Sequence, residues 1–190
     1  MNVVNTRRDE IIKTAAKLFK EKGYSAVTMR DLATAMGIKA ASLYNHIHSK
    51  QDILKEIIIS LAEEFTHGME IIKTSDNNSI QKLNLIIALH VDITTNNTYG
   101  MASLNNDWMH LEEQLEYYLK LRKNYEQDFL NIVKSGISSN EIIDSNPEII
   151  MFSVLSTLRS LYLWIPKKDE LNAKDLAQNL TNVLIYGINK

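Results

Sequence analysis

Apolar residues recur at helical spacing along nearly the whole chain, and no segment alternates between apolar and polar positions as a half-buried strand would. The pattern therefore predicts an all-α fold of about nine helices. Four of them precede a polar break at Thr74-Ser-Asp-Asn-Asn-Ser79. Beyond the break, the spacing predicts helices over about 79–95, 100–109, 112–135, 147–164 and 171–187.

Polar residues mark where several of these helices begin. Three starts have a Ser or Thr followed three residues later by an acid, which is the capping-box spacing: Thr6 with Asp9, Thr28 with Asp31, and Ser49 with Asp52. A later start combines a cap, a proline and an acid in Asn146-Pro147-Glu148, and Ile165-Pro166 is expected to end that helix. Gly23 and Gly37 follow the first and second helices and are expected to end them.

The second and third helices predict a helix-turn-helix. Gly37 lies in a tight turn that needs a residue tolerant of positive φ, and Ala33 allows the two helices to cross closely. The third helix is expected over about Ala40 to His46, with Leu43 and Ile47 facing inward. Small and polar side chains that suit the major groove of DNA would then face outward: Lys39, Ala40, Ser42, Tyr44, Asn45 and His46.

The charge distribution supports a nucleic-acid partner for one part of the chain only. The whole chain has 21 Lys and Arg against 23 Asp and Glu, and the resulting net charge of −2 gives no hint of such a partner. Residues 1–50, however, hold nine basic and four acidic side chains, a net +5, while residues 51–190 hold 12 and 19, a net −7. We therefore predict a DNA-binding domain over 1–50 and a second domain over 51–190. Thr28 and Lys50 are placed to contact backbone phosphates.

A block of the form GY-x(3)-T-x-RD-[IL]-A-x(3)-G is followed by an LY-containing helix and by SK before a long helix. With these motifs, residues 7–60 resemble the DNA-binding head of the tetracycline-repressor-like (TetR) transcriptional regulators. The chain departs from the family pattern at Lys39, where a Ser or Thr cap is usual, at Ile47, which replaces an aromatic, and at His48, which replaces proline or a small residue. The resemblance implies DNA contacts from Thr28, Arg30, Lys39, Ala40, Ser42, Tyr44, Asn45, His46 and Lys50.

The resemblance implies that the rest of the chain binds an effector, and six aromatic side chains crowd residues 99–129. Plain helical core is the alternative explanation for this aromatic stripe. The arginines within apolar helices can pair with an anionic ligand, and the arrangement near Arg122–Tyr125, with Trp164, resembles regulators of lipid or acyl-CoA metabolism. We expect a hydrophobic or acyl-CoA-like small molecule to contact Trp108, Tyr118, Arg122, Tyr125 and Arg159.

The two C-terminal helices carry more apolar surface than the end of one chain should expose. We expect them to form a homodimer, because a symmetric operator needs a twofold protein; packing within one chain is the alternative. The expected interface residues are Leu155, Leu158, Leu161, Tyr162, Leu176, Leu180, Val183 and Leu184.

Together these features predict a homodimeric transcriptional regulator, in the first instance a repressor that a small molecule releases from a palindromic operator in double-stranded DNA. The alternatives are an all-helical lipid-binding protein or enzyme with a vestigial DNA-binding head, and a protein–protein adaptor. We expect no enzymatic activity, cofactor or metal, since the chain has no cysteine and the His46-x-His48 pair lacks the rest of a coordination sphere. The absence of an apolar leader or membrane-length run predicts a cytoplasmic protein without membrane contact.

Overall fold

The computed structural model describes residues 6–168 and 172–188 of the 190-residue chain. Within those residues the backbone is helical and has no β-strand, so the predicted all-α class is confirmed. Packing divides the chain into two compact units. The first runs up to Leu61 and takes in Tyr99–Tyr118, and the second comprises Ala62–Thr98 and the chain from Leu119 onward. The functional boundary predicted at residue 50 stays a prediction, since this division follows packing alone.

The α-helical segments follow one another in this order: α1 (Arg7–Lys22), α2 (Met29–Ala35), α3 (Ala40–Leu43), α4 (Lys50–Thr74), α5 (Ser79–Asn96), α6 (Thr98–Asn106), α7 (Leu115–Ser138), α8 (Pro147–Arg159), α9 (Leu161–Trp164) and α10 (Ala173–Thr181). Single 3₁₀ turns connect several of them, at Trp108–His110, Glu112–Gln114 and Ile165–Lys167. The last helix continues as a π-helix over Asn182–Tyr186.

The predicted helix starts are confirmed, because their capping contacts form. Thr6 and Thr28 each accept from the backbone of the acid three residues later, and that acid accepts from the cap backbone in return. The Ser49 hydroxyl accepts from the Asp52 N–H over 3.0 Å, and the Asn146 side chain caps the start of α8. Gly23 and Gly37 adopt φ of +84° and +65°, a conformation that glycine adopts without steric cost.

Two helices differ from their predicted extents. α3 ends at Leu43 rather than His46, and its N-cap Lys39 supplies no side-chain acceptor, as its departure from the family pattern implies. The helix predicted over 147–164 is interrupted at Ser160, whose N–H is shared between two carbonyls and whose hydroxyl donates back to Ser156 O. Such back-bonding bends helices. The predicted start of the last helix, at 171, lies outside the described residues.

The core of the first unit anchors the two helices of the helix-turn-helix. Ile11 and Phe19 of α1, Leu32 of α2 and Leu43 of α3 are all buried, and Ile47 is buried just beyond α3. Both residues predicted to face inward, Leu43 and Ile47, therefore do so.

In the second unit, α5 is the central helix and packs against α8, α9 and α10. Its buried face is apolar at Ile86, Ile87 and Val91 but polar at His90 and Thr94. Polar side chains inside a helical core need hydrogen-bond partners.

Candidate functional site

The turn between α2 and α3 holds the outer surface of the helix-turn-helix in place. Gly37 turns the chain with its positive φ, and the Ile38 N–H donates to Ala33 O over 3.0 Å. Ala33 itself is buried, so a larger side chain there would separate the two helices. With Leu43 and Ile47 fixed in the core, the opposite side of the segment faces solvent.

Six residues predicted to face the major groove of DNA lie together on this exposed side, which we call the groove face. Tyr44 is 49% exposed, and its five companions are exposed except for Ala40, which is half-buried. Arg30 of α2 is also exposed. The groove face consists of Lys39, Ala40, Ser42, Tyr44, Asn45 and His46.

The structure gives Thr28 a capping role. Its hydroxyl donates to the Asp31 carboxylate over 2.6 Å and accepts from the Asp31 N–H over 3.1 Å. Its own N–H also donates to that carboxylate, over 2.8 Å. These contacts lower the pKa of Asp31, through its side-chain and backbone hydrogen bonds with Thr28. Thr28 can therefore contact a phosphate only if it gives up part of the cap.

Lys50 has a structural role that the sequence did not reveal. Its ammonium donates to the carbonyls of Tyr24 and Val27, each over 2.8 Å, and lies 4.2 Å from the centroid of the Tyr24 ring. The ammonium thereby connects the start of α4 to the loop between α1 and α2. A third, longer hydrogen bond of 3.5 Å reaches the Ser25 carbonyl, so Lys50 can contact a phosphate only if it gives up part of this set.

Arg8 was missing from the predicted site and holds the end of the groove face. One guanidinium nitrogen donates to the His46 carbonyl over 2.7 Å. The others bind both oxygens of Glu56 on α4, with a shortest distance of 2.5 Å. The basic Arg7-Arg8 pair was visible in the sequence, but the partners lie 38 and 48 residues away.

A second set of contacts joins the helix-turn-helix to the segment Tyr99–Tyr118, within the first unit. The Tyr24 hydroxyl donates to Gln51 over 2.7 Å, and the Gln51 amide donates to the His110 carbonyl over 2.6 Å. The Tyr24 and His110 rings stack at 5.2 Å. Burial, and then the nearby charges of Glu112 and Asp107, raise the pKa of the Tyr24 hydroxyl, so it remains a donor.

The five residues predicted to contact an effector fall into two groups. Trp108 and Tyr118 stack in the first unit, with ring centroids 5.9 Å apart. Tyr125 is buried in the second unit, where Arg122 and Arg159 both bind Glu126, at 3.2 and 2.6 Å. Burial alone would raise the pKa of Glu126, but the hydrogen bonds and charges of the two arginines hold it below its ordinary value.

His90 and Thr94 form a buried polar group with Tyr125 that the predicted set omitted. His90 Nε2 lies 2.9 Å from the Tyr125 hydroxyl, and the Phe65 ring lies 4.6 Å from the imidazole. Burial, helped by the charge of Arg159, lowers the pKa of His90 to about 3, so the ring is neutral. His90 Nδ1 and the Thr94 hydroxyl are buried and have no hydrogen-bond partner. Their position on an otherwise apolar helix face was the available sequence signal.

The residues predicted for the dimer interface need a correction. The structure buries five of them inside the second unit, between 0 and 8% exposed, so they belong to the core of one chain: Leu155, Leu158, Leu161, Tyr162 and Leu176. The other three are at least partly accessible: Leu180, Val183 and Leu184.

The exposed apolar surface of α8 and α9 lies on their other side. Ile149 and Phe152 are 60 and 70% exposed, and Leu163 and Trp164 are 52 and 44% exposed. Ser156 and Ser160, which lie between these pairs along the chain, line an open groove of about 520 Å³. Leu176 and Leu180 of α10 also line this groove. Among the described residues, one segment is long and apolar enough by composition to cross a membrane, and it is this one, Pro147–Lys167; only 28% of its most apolar window is buried.

Comparison with known proteins gives two family matches. A family described as bacterial regulatory proteins, tetR family, matches residues 11–57, and one described as tetracyclin repressor-like, C-terminal domain, matches residues 76–188. The HTH-type transcriptional repressor KstR2 of Rhodococcus jostii is 23% identical over 185 residues, covering 96% of this chain and 91% of its own.

Two solved structures share the fold. The ketosteroid transcriptional regulator KstR2 of Mycobacterium tuberculosis superimposes with a TM-score of 0.89 and 23% identity over 98% of this chain and 97% of its own. AibR in complex with isovaleryl coenzyme A and operator DNA gives a TM-score of 0.73 and 20% identity over 93% of this chain and 97% of its own.

Proposed function

We propose, on the premise that this chain belongs to the tetR family of bacterial regulatory proteins, that it represses transcription from a twofold-symmetric operator and is released by a small molecule. The chain is a DNA-binding transcriptional regulator. The exposed groove face carries the proposal, because its polar side chains have few partners inside the protein and suit base edges. The repressing direction is supported by KstR2 of Rhodococcus jostii, which is a transcriptional repressor.

Residues of the groove face divide by the DNA atoms that they suit. The Asn45 amide can pair with adenine through two hydrogen bonds, and Ala40 can approach a thymine methyl. Lys39, Ser42, Tyr44, His46 and Arg30 are donors for phosphate or base edges. Thr28 and Lys50 contribute to phosphate binding beside the groove face by giving up part of their contacts within the protein. The net +5 of residues 1–50 brings the domain to DNA, while the net −7 of the rest disfavours indiscriminate binding.

Dimerisation through α8, α9 and the end of the chain is the second part of the proposal. Ile149, Phe152, Leu163 and Trp164 are four large apolar side chains exposed on two consecutive helices, and Val183 and Tyr186 are exposed near the end of the chain. A second copy of this chain is the proposed occupant, because two recognition segments are needed for an inverted repeat. The same surface accounts for the apolar character of Pro147–Lys167 without a membrane.

The effector is proposed to act through the segment Tyr99–Tyr118. This segment packs in the same compact unit as the helix-turn-helix and reaches it through His110, Gln51 and Tyr24. A ligand that favours one position of the segment would change the spacing of the two recognition segments in a dimer. Its effect is limited to its differential affinity for the two states, about 1–3 kcal/mol in typical cases.

A hydrophobic or acyl-CoA-like molecule is the proposed effector. AibR was solved with isovaleryl coenzyme A and operator DNA, and KstR2 of Mycobacterium tuberculosis is a ketosteroid regulator. Arg122 and Arg159 are the proposed contacts of an anionic end group, which would compete with Glu126 for them. No catalysis is proposed, in keeping with the family, and the site of action is the cytoplasm, where operator DNA lies.

Selection of binding sites from a random pool of DNA duplexes tests the proposal. We expect an inverted repeat whose half-sites are centred about 34–36 Å apart or a multiple of that. Light scattering on the protein and its DNA complex should give two chains or a multiple of two. Recovery of a single asymmetric site bound by one chain would contradict the proposal, as would retention on DNA that does not depend on sequence.

A further inference from the structure

We propose that His90 and Thr94 bind an uncharged oxygen acceptor, such as a ketone, ester or thioester carbonyl, on a largely apolar effector. The inference rests on the proposed effector function and names the chemistry of its buried end. It is carried by two hydrogen-bonding groups that the core holds without partners.

Both groups are deeply buried and close together. His90 is 4% exposed and Thr94 is 0% exposed. They lie one turn apart on the buried face of α5, where side chains at i and i+4 are neighbours. One ligand oxygen has two lone pairs and can therefore accept from both groups at once.

The contact with Tyr125 determines which proton His90 offers. The Tyr125 hydroxyl lies 2.9 Å from His90 Nε2, and donation from the phenol satisfies its own buried proton. The imidazole proton then resides on Nδ1, which is the unpartnered nitrogen. Tyr125 thus orients His90 as a donor, and the Thr94 hydroxyl supplies the second donor.

The electrostatics of the cluster favour a neutral acceptor over a carboxylate. His90 is a neutral imidazole, and Tyr125 is a neutral phenol because burial raises its pKa. The nearest cation, Arg159, is already bound to Glu126 at 2.6 Å. An ionised carboxylate placed here would lose its hydration and gain only two hydrogen bonds from neutral donors. These two bonds do not compensate for the free energy of the lost hydration. The Phe65 ring against the imidazole, and the buried Ile87 and Val91 on the same helix, suit an apolar molecule.

Two neighbouring threonines provide a matched pair of variants. Thr94→Val removes the unpartnered hydroxyl and keeps the shape of the side chain. Thr95→Val makes the same change at a hydroxyl that already donates to Val91 O and Asp92 O. Without ligand, Thr94→Val should equal or exceed the wild-type Tm, since it removes an unsatisfied polar group, while Thr95→Val should not exceed it. A Tm lowered by Thr94→Val as much as by Thr95→Val would show that water satisfies Thr94 and would overturn the inference.

Binding is tested with 2-decanone and decanoate, which match in chain length but differ in charge. The readout is the imidazole ¹⁵N signal of His90 in the full-length protein, assigned by its loss in His90→Gln. We expect 2-decanone to shift this signal and decanoate to bind at least tenfold more weakly than 2-decanone. Thr94→Val should weaken the binding of 2-decanone about fivefold, and Thr95→Val should leave it unchanged. Equal or tighter binding of decanoate, or no shift of His90 with either compound, would overturn the inference.

Operator affinity measured on the same samples separates this inference from the proposed function. If 2-decanone shifts the His90 signal while the operator stays bound, the buried site stands and release by this ligand fails. If 2-decanone releases the operator without moving the His90 signal, release stands and the buried site is overturned.

Discussion

The Arg8 guanidinium donates to the backbone carbonyl of His46 over 2.7 Å and so joins the first helix to the end of the groove face. The same guanidinium binds Glu56 of α4 with two nitrogens. Arg8 is about half exposed, so the ion pair by itself contributes little to stability, on the order of 0–1 kcal/mol. The importance of Arg8 is that it fixes the position of the groove face.

We therefore expect Arg8→Gln to weaken operator binding about tenfold without changing its salt dependence. The reason is that the Arg8 side chain holds the groove face in position and does not contact a DNA phosphate. Fluorescence anisotropy with labelled operator between 50 and 200 mM KCl measures both quantities. Arg7→Gln is the matched control, since Arg7 pairs with Glu10 on its own helix. A fall of about 1 in the salt slope for Arg8→Gln would instead identify Arg8 as a phosphate contact.

Substitution of Lys50 should change mainly the stability of the protein, whereas substitution of Lys39 should change mainly the salt dependence of operator binding. Lys50→Met removes two short hydrogen bonds between the start of α4 and the loop that joins α1 to α2, so we expect a loss of about 1–2 kcal/mol in the free energy of unfolding. Lys39→Met should leave stability unchanged and lower the salt slope of operator binding by about 1, because this exposed lysine has no side-chain cap bond to lose. Urea denaturation and salt titrations test the pair. Equal stabilities with a reduced slope only for Lys50→Met would reverse the two assignments.

The contrast between these residues shows what the sequence could and could not predict. Helix starts such as Thr28 with Asp31 were predictable, because cap and acid lie three residues apart. The contacts of Arg8 and of His90 join residues 38 and 35 positions apart, and no local pattern encodes such pairs. Five of the predicted dimer residues are buried within one chain, and periodicity could not show this: α8 is apolar on both sides, so the buried Leu155 and the exposed Phe152 look alike in the sequence.

Asn45 is expected to contribute to sequence recognition rather than to general affinity. Asn45→Ala should reduce discrimination at one base pair of each half-site by about 1–3 kcal/mol, since it removes a bidentate contact to a base edge. Site selection with the variant should show that position relaxed and all others retained. A site preference identical to that of the wild type would remove Asn45 from base recognition.

Phe152 is expected to lie in the dimer interface. Phe152→Glu should convert the protein to a monomer in sedimentation velocity, because a charge would be buried against the second copy. Ile143→Glu is the control, since Ile143 is 77% exposed and lies outside α8. Leu155→Ala should instead lower the free energy of unfolding by about 2–5 kcal/mol, as expected of a core leucine. Dimers that survive Phe152→Glu would exclude this surface.

The pH dependence of stability should reveal the buried imidazole. The pKa of His90 is lowered to about 3 by burial and by Arg159, whereas an unfolded chain protonates a histidine near its ordinary value of 6.5. Between these two values the unfolded state binds a proton that the folded state does not, so stability rises with pH up to about 6.5 and falls as the pH drops towards 3. The contribution is at most about 1.4 kcal/mol per pH unit. Urea denaturation between pH 4.5 and 7.5 should show a shallower pH dependence of stability in His90→Gln than in wild type. Identical slopes in His90→Gln and wild type would mean that the folded protein accepts a proton at His90, and the neutral cluster with Tyr125 and Thr94 would then be excluded.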